Sequence, residues 1–238
     1  MVSATGTIIG RISLADIQQD IVRNIVSIRD SQNLFDDLSD DANDWTVAQI
    51  VEMQHKPPHY TNRDTILNRP FEETNWANAI QWPFKNWQSS RFSNGTFGVW
   101  YGSACEQTTV YETAYHWHHG LLSDAGFERE PVVAERKLYN VECRAGLLDF
   151  RPLAVEFPDV VHETDYSAAQ ALGARLHREG HPGIVVPSVR DPSGENFVVL
   201  TPSVLTNPRA RCYMTYRMVD GVISVEKVPG APFMQIAP

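Results

Sequence analysis

Cysteine is scarce in this chain. Only Cys105, Cys143 and Cys212 occur, an odd number with no two close enough to form a metal knuckle. That argues against a disulfide framework and points to a reducing compartment. Basic residues are also in deficit: 20 Lys and Arg stand against 29 Asp and Glu, for a formal net charge of -9 and a sequence pI near 5.3. General nucleic-acid binding needs a basic footprint, so none is expected. A basic pocket within an acidic surface stays open, because net charge does not describe local sites. Long apolar runs are missing as well, and nothing approaches the roughly 20 residues that span a bilayer. Met1 to Arg11 lacks the basic-then-apolar pattern of a signal peptide. A cytoplasmic protein without membrane contact is the expectation. Also absent are Gly-x-Ser-x-Gly, His-Glu-x-x-His and a phosphate-cradling glycine loop, so a hydrolase triad, a zincin site and a P-loop find no support.

What is present suits one sizeable core: 238 residues, 42% hydrophobic and 21% charged. Leu14, Ile17, Ile21, Ile25 and Ile28 recur at three- and four-residue steps, which predicts a helix over Ser13–Leu38, with Ser13 as cap and Asp16 in the capping-box position. Asp36 to Asp44 reads as an acidic loop, and Thr46–Gln54 as a second short helix stopped by Pro57 and Pro58. From Tyr60 to Ser90 the chain has no clear period and is expected to be irregular, with Trp76, Trp82 and Trp87 as anchors. Beyond it the pattern is mixed. Strands are expected over 96–102, 131–142, 147–150, 183–186 and 196–200. Helices are expected over Glu106–Leu122, facing inward with Val110, Ala114, Trp117 and Leu121, and over Ser167–Glu179, stopped at Gly180. Arg211 to Val228 reads as a hairpin turning at Asp220-Gly221. The fold class is α+β: a helical extension over 1–59, then a mixed-sheet domain with flanking helices over 60–238.

Two blocks of residues carry chemistry. The first runs Arg91-Phe92-Ser93, Gly95, Val99-Trp100-Tyr101-Gly102-Ser103, Glu106 and Glu112. The second runs Tyr166-Ser167, Gln170, Gly173 and Gly183-Ile184-Val185-Val186-Pro187-Ser188-Val189-Arg190. Taken singly, each residue has an ordinary explanation. Arg91 suits a surface ion pair, Tyr101 a core position, Glu112 a solvated helix face, and Ser167 with Gln170 a capping box. The two blocks in order are what stand out.

Together, over roughly Tyr60 to Thr201, they resemble the RES domain, the toxin half of bacterial RES–Xre toxin–antitoxin pairs. Arg91, Tyr101 and Glu112 match the family's spacing of about ten and then eleven residues, although Ser90-Arg91-Phe92-Ser93 replaces a Gly-Arg-Trp-Asn-like stretch. The family serine maps onto Ser167, with Ser188 as a second serine in a family-like block. Arg63 and Arg69 compete for a further upstream arginine. The resemblance implies a compact ADP-ribosyltransferase-like core and an enzyme that degrades NAD⁺ at the nicotinamide–ribose bond. Glu112, Arg91 and Tyr101 would be catalytic. Arg91, Tyr101, Ser167, Ser188 and Arg69 would contact substrate. The acceptor of the ADP-ribose unit is left open among water, inorganic phosphate and a protein side chain, as is a protein ADP-ribosyltransferase or a non-enzymatic interaction protein on the same scaffold. An Xre-type antitoxin is the implied partner, and the apolar stripe of the extension would bury on the catalytic domain or in a homodimer.

The residue types fit that chemistry. A guanidinium pairs with the oxygens of a pyrophosphate. Departure of nicotinamide leaves positive charge on the ribose, which a fixed carboxylate stabilises. A tyrosine gives a flat face and a hydroxyl. Nicotinamide leaves as a neutral molecule, so no metal is expected. His116 and His119 stand three apart on the helix of Glu112, but no third ligand group accompanies them.

Overall fold

The first long element is a strand where a helix is expected. In the computed structural model, which describes residues 4–26 and 77–237, Ser13–Val26 forms β1. The reason is parity. Ile17, Ile21 and Ile25 are four apart, which suits one helix face and equally one strand face, because four is even. Leu14 breaks the tie, since an odd step from Ile17 moves it to the opposite face of a strand. Leu14 is 70% exposed, whereas Ile17 and Ile21 are 7% and 0% exposed. Ile and Val also favour strands by propensity. β1 pairs antiparallel with β5 (Val133–Asp149) without a break, from Ser13 opposite Asp149 to Val26 opposite Arg136. Ser13 and Asp16 are therefore ladder residues and not a helix cap, and the expected helical extension is corrected over these residues. Its continuation to Leu38, the second helix at Thr46–Gln54 and the boundary at 59/60 lie outside the described residues.

The remaining elements follow in order. α1 is Ala4–Ile9, and a π-helical turn at Ala77–Gln81 leads into α2 (Trp82–Lys85). Short β2 (Ser89–Ser90) and β3 (Ser93–Asn94) form a hairpin around Arg91, followed by β4 (Trp100–Ser103). α3 (Glu106–His116) continues as a π-helical segment, Trp117–Leu122, and ends in α4 (Ser123–Ala125). After β5 come α5 (Ser167–Arg178), β6 (Gly183–Pro187), β7 (Glu195–Val199), β8 (Leu205–Val219), β9 (Val222–Val228) and β10 (Ala231–Ile236). The class is α+β, as the sequence indicates.

The main sheet runs β1-β4-β7-β6-β5-β8-β9-β10, and β1 also pairs with β5. Five strands thus close on themselves, while β8, β9 and β10 continue outward from the first half of β5. The two strands expected at 131–142 and 147–150 are one strand. β5 offers one edge to β1, and its other edge first to β8 and then, in parallel, to β6. One apolar cluster lies under α5, where Leu172 and Leu176 meet Phe92, Leu148, Ile184 and Val198. Another lies under α3, where Val110 and Ala114 meet Val22, Leu138 and Met214. Trp117 is buried as expected, but Leu121 is 65% exposed and Leu122 takes its place at 2%. The π-helical segment adds a residue to the turn and rotates the next side chain inward.

The turn signals behave as expected. Asp220 and Gly221 both take positive φ between β8 and β9, as a two-residue hairpin turn requires. Gly180, at φ 77°, ends α5. Trp82 and Trp87, by contrast, are 61% and 56% exposed, the Trp87 Nε1 donating only to the nearby Phe84 carbonyl at 2.7 Å, and Trp76 lies outside the described residues. The anchoring indole is Trp100, fully buried, whose Nε1 donates to the carbonyl of Ala79 at 2.7 Å. Among the described residues no helix is long and apolar enough to cross a membrane.

Strand parity gives a direct test. Ile21→Ala is expected to cost about 2–5 kcal/mol of unfolding free energy, the usual range for emptying a buried isoleucine site. Leu14→Ala is expected to stay within about 0.5 kcal/mol. Urea denaturation of both variants checks this; equal losses would mean that the two side chains share one buried face.

Candidate active site

Arg91 sits at the tip of the β2–β3 hairpin, and α5 holds that hairpin with three residues on one face. Tyr166, just before α5, lies under the guanidinium, with the Arg91 Cζ 4.4 Å from the ring centre. Gln170 donates from Nε2 to the Ser90 carbonyl at 2.9 Å. Gly173 packs against the backbone of Phe92 so closely that any Cβ there would collide with the Phe92 carbonyl. Steps of four and three residues put all three on one side of a helix. β4 holds the same turn from below. The Tyr101 hydroxyl accepts the Phe92 backbone N–H at 3.0 Å and pairs with Ser90 Oγ at 2.9 Å. Tyr101 thus ties down both neighbours of Arg91. Burial pushes the Tyr101 phenol up to about 12, so it is neutral near pH 7. The Arg91 guanidinium donates to the carbonyls of His162 and Glu163, and burial lowers its pKa from the ordinary arginine value.

Glu112, on α3, is held by neutral donors. Its Oε1 accepts from Ser188 Oγ at 2.6 Å and from Asn196 Nδ2 at 2.6 Å. The amide of Asn196 is itself oriented by Ser103 Oγ, which donates to Asn196 Oδ1 at 2.7 Å. Ser188 Oγ accepts the backbone N–H groups of Arg190 at 3.2 Å and Asp191 at 3.0 Å, which leaves its proton for Glu112. The turn between β6 and β7 that carries Ser188 is pinned to α3, because Thr108 Oγ1 donates to the buried Asp191 carboxylate at 2.7 Å. Gly194 fits in this turn only because a Cβ would collide with Thr108 and Asp191. Among the described residues neither an ion pair nor a hydrogen bond engages Glu112 Oε2.

These two constructions meet in one cavity of about 390 Å³, within the size range of small-molecule sites. Arg91, Tyr101, Glu112, Asn196 and Tyr166 line it, with Phe92 and Val198 among its apolar walls. His116, one turn beyond Glu112, also faces it, and burial lowers its pKa, so it is neutral near pH 7. Arg23 of β1 lines the cavity as well; it donates from Nη1 to the Tyr101 carbonyl at 2.6 Å and lies 5.4 Å over the Trp100 ring. Burial, and then the nearby Arg136, lower its pKa to about 10, still far above neutrality. The lining therefore carries two guanidinium groups against one carboxylate, within a chain of net charge -9. Such a cavity favours an anionic ligand.

The sequence-derived residues are distributed unevenly. Arg91, Tyr101 and Glu112 face the cavity together, and Ser188 reaches Glu112 directly. Ser167 does not line the cavity. It is exposed, and its hydroxyl and backbone N–H both turn to Asp165. The capping-box reading of Ser167 and Gln170 is corrected with it, since Gln170 reaches across to Ser90 and Asp165 serves the helix start. Arg63 and Arg69 lie outside the described residues. His119 and His116 both pack against Tyr115, with ring centres 4.3 and 5.5 Å away, and among the described residues no group of three or more His, Cys, Asp or Glu could hold a metal ion. Asn196 and Arg23 are not singled out by the sequence patterns. An arginine inside the apolar run Ile21-Val22-Arg23-Asn24-Ile25-Val26 is the available signal for the second. Asn196 has none beyond its place beside Phe197-Val198-Val199.

No curated protein matches this chain. Among solved structures, it is similar to the M. tuberculosis MbcT–MbcA toxin–antitoxin complex, at 14% identity over 91% of this chain and 92% of that one, with a TM-score of 0.46. A family profile described as the RES domain matches residues 66–218, which include the Arg91 hairpin, Glu112, Ser188 and Asn196. The chain belongs to the RES domain family.

Proposed function

We propose that this protein degrades NAD⁺ by breaking the bond between nicotinamide and ribose. The observation that carries this reading is the Glu112 carboxylate, fixed by Ser188 and Asn196 inside a cavity whose lining carries a net positive charge. The Arg91 side takes the pyrophosphate, its donors exchanging the His162 and Glu163 carbonyls for phosphate oxygens. Tyr101 acts here mainly by holding the turn that presents Arg91. Glu112 faces the ribose. As the C1′–N bond breaks, its electron pair stays with the ring nitrogen and nicotinamide leaves neutral. The positive charge left on C1′ and the ring oxygen is stabilised by the carboxylate. With water as acceptor, water oxygen bonds to C1′ and a proton is released, giving ADP-ribose. Inorganic phosphate or a protein side chain would take the same position at C1′. An NAD⁺-consuming enzyme endangers the cell that makes it, and a neutralising antitoxin of the Xre type that covers the cavity is part of the proposal.

The experiment is to incubate the pure protein with NAD⁺ and identify the products by mass spectrometry. Free nicotinamide with ADP-ribose, ADP-ribose phosphate or a modified protein supports the reading and names the acceptor; unchanged NAD⁺ sinks it and leaves an interaction protein. Glu112→Gln keeps the size and removes the charge. It is expected to lower single-turnover rate by on the order of 10²–10³, with NAD⁺ affinity within a few-fold. Arg91→Ala is expected to act in the opposite way, weakening NAD⁺ binding while the rate at saturation changes far less, because the phosphates are charged before and during reaction. A Glu112→Gln enzyme that turns over like wild type would remove Glu112 from the mechanism. Activity is also expected to survive EDTA, and loss with recovery on adding zinc would show a metal step.

A further inference from the structure

Val161 and Tyr166 both line the cavity, and residues 162–165 between them join the two constructions that meet there. The carbonyl of His162 accepts from Arg91 Nη1, at the hairpin tip. The carbonyl of Glu163 accepts from Arg91 Nη2 and also from Arg190 Nη2. Arg190 belongs to the turn between β6 and β7, just past the Ser188 that holds Glu112. Two permanent cations thus converge on one neutral oxygen. Each lies over a ring, Arg91 over Tyr166 and Arg190 3.3 Å over Tyr115. The Arg190 Nε is buried with no partner, and among the described residues neither guanidinium forms an ion pair with a carboxylate.

What holds this segment in place is polar. His162, Glu163, Thr164 and Asp165 are all exposed, while the chain on either side is anchored by Val160 and Ala169, which are buried. Within the segment, His162 Nδ1 accepts the backbone N–H groups of Thr164 at 3.3 Å and Asp165 at 2.9 Å, which shapes the turn whose first two carbonyls meet the guanidiniums. Lifting it away uncovers no buried side chain of its own, so it belongs with the segments that open locally at low cost. A carbonyl is also the weaker partner for a guanidinium, because a phosphate oxygen brings a full charge to the same hydrogen bonds. The geometry points to residues 162–165 as an autoinhibitory strap, which occupies donors of Arg91 and Arg190 with its own carbonyls until an anionic ligand displaces it. Affinity for the ligand is then reduced in proportion to the fraction of molecules whose strap is open. This rests on the reading of the cavity as a site for an anionic nucleotide, and adds a conformational step that limits access to it.

The test uses the full chain, with ADP-ribose and inorganic pyrophosphate as separate probes. Hydrogen exchange over residues 162–166, followed by mass spectrometry, is expected to speed up when a probe saturates the protein, because the strap loses its fixed donors. An ordinary contact between ligand and loop would slow that exchange. Slower or unchanged exchange therefore overturns the inference, as does failure of both probes to bind. His162→Ala keeps both carbonyls and removes the acceptor that shapes the strap. It is expected to tighten ADP-ribose binding in titration calorimetry by about 3- to 10-fold, the worth of one net hydrogen bond, with thermal melting close to wild type. Unchanged or weaker binding by the folded variant overturns the inference, and His162 is then a ligand contact or a plain turn residue. If His162→Ala does not fold, the exchange measurement on wild type decides. The outcomes separate from those of the proposed reaction. A strap released by pyrophosphate in a protein that leaves NAD⁺ intact refutes the reaction alone, and NAD⁺ cleavage with a strap that exchanges no faster under either probe refutes the inference alone.

Discussion

The pairing of β1 with β5 is the constraint on which the site depends. Fourteen positions, Ser13 to Val26, run in unbroken register along β5. β1 also touches β4 at Val22 opposite Ser103, so the strand set closes on itself. Closure brings Arg23, Tyr101, Ser103 and Asn196 from three strands to the lining of the same small enclosure. Without β1 that enclosure loses a wall and its second guanidinium. The sheet also loses the side chains of Ile17 and Ile21, which are buried with Trp100, Tyr139 and Val141.

Much of the site is legible in the sequence alone, and the reason is local. Arg91, Tyr101 and Glu112 belong to one contiguous stretch, hairpin to strand to helix, whose spacing fixes their relative positions. Tyr166, Gln170 and Gly173 are also visible as a block, but their purpose is not. Helical spacing suggests a cap, whereas all three reach sideways to the Arg91 turn. That contact joins segments some 70 to 80 residues apart, and no local pattern encodes it. β1 is misread for another reason. Isoleucines four apart satisfy periods of 3.6 and 2 alike, and only Leu14 and the β-branched composition discriminate. Leu121 is lost to the π-helical segment, which changes the period partway along a helix.

Two kinds of support divide the labour within the site. The Arg91 hairpin is short, two residues per strand, and could not hold a guanidinium in place alone. Its geometry is borrowed from α5 on one side and the Tyr101 hydroxyl on the other. Glu112 needs less help from its backbone, because α3 is anchored by Val110 and Ala114, both fully buried. What it receives instead is control over a single oxygen. Ser188 and Asn196 both serve Oε1, and each is oriented by a further partner, the Arg190 and Asp191 N–H groups in one case and Ser103 in the other.

The choice of neutral donors matters for the proposed chemistry. An arginine or lysine against Glu112 would fix its position too, but it would also answer its charge in the resting protein. A developing cation on the ribose would then meet an ion pair and not a carboxylate. Serine hydroxyl and asparagine amide set the geometry and leave the net charge in place, with Oε2 unengaged by the described residues. The cations of the cavity stand elsewhere, on β1 and on the hairpin, where in the proposed reaction they would meet phosphates that are anionic throughout. A carboxylate kept unpaired in a partly enclosed site is costly to the folded state. That cost is acceptable where stabilisation is needed only as the bond breaks, because a preorganised charge has no reorganisation left to do at that moment.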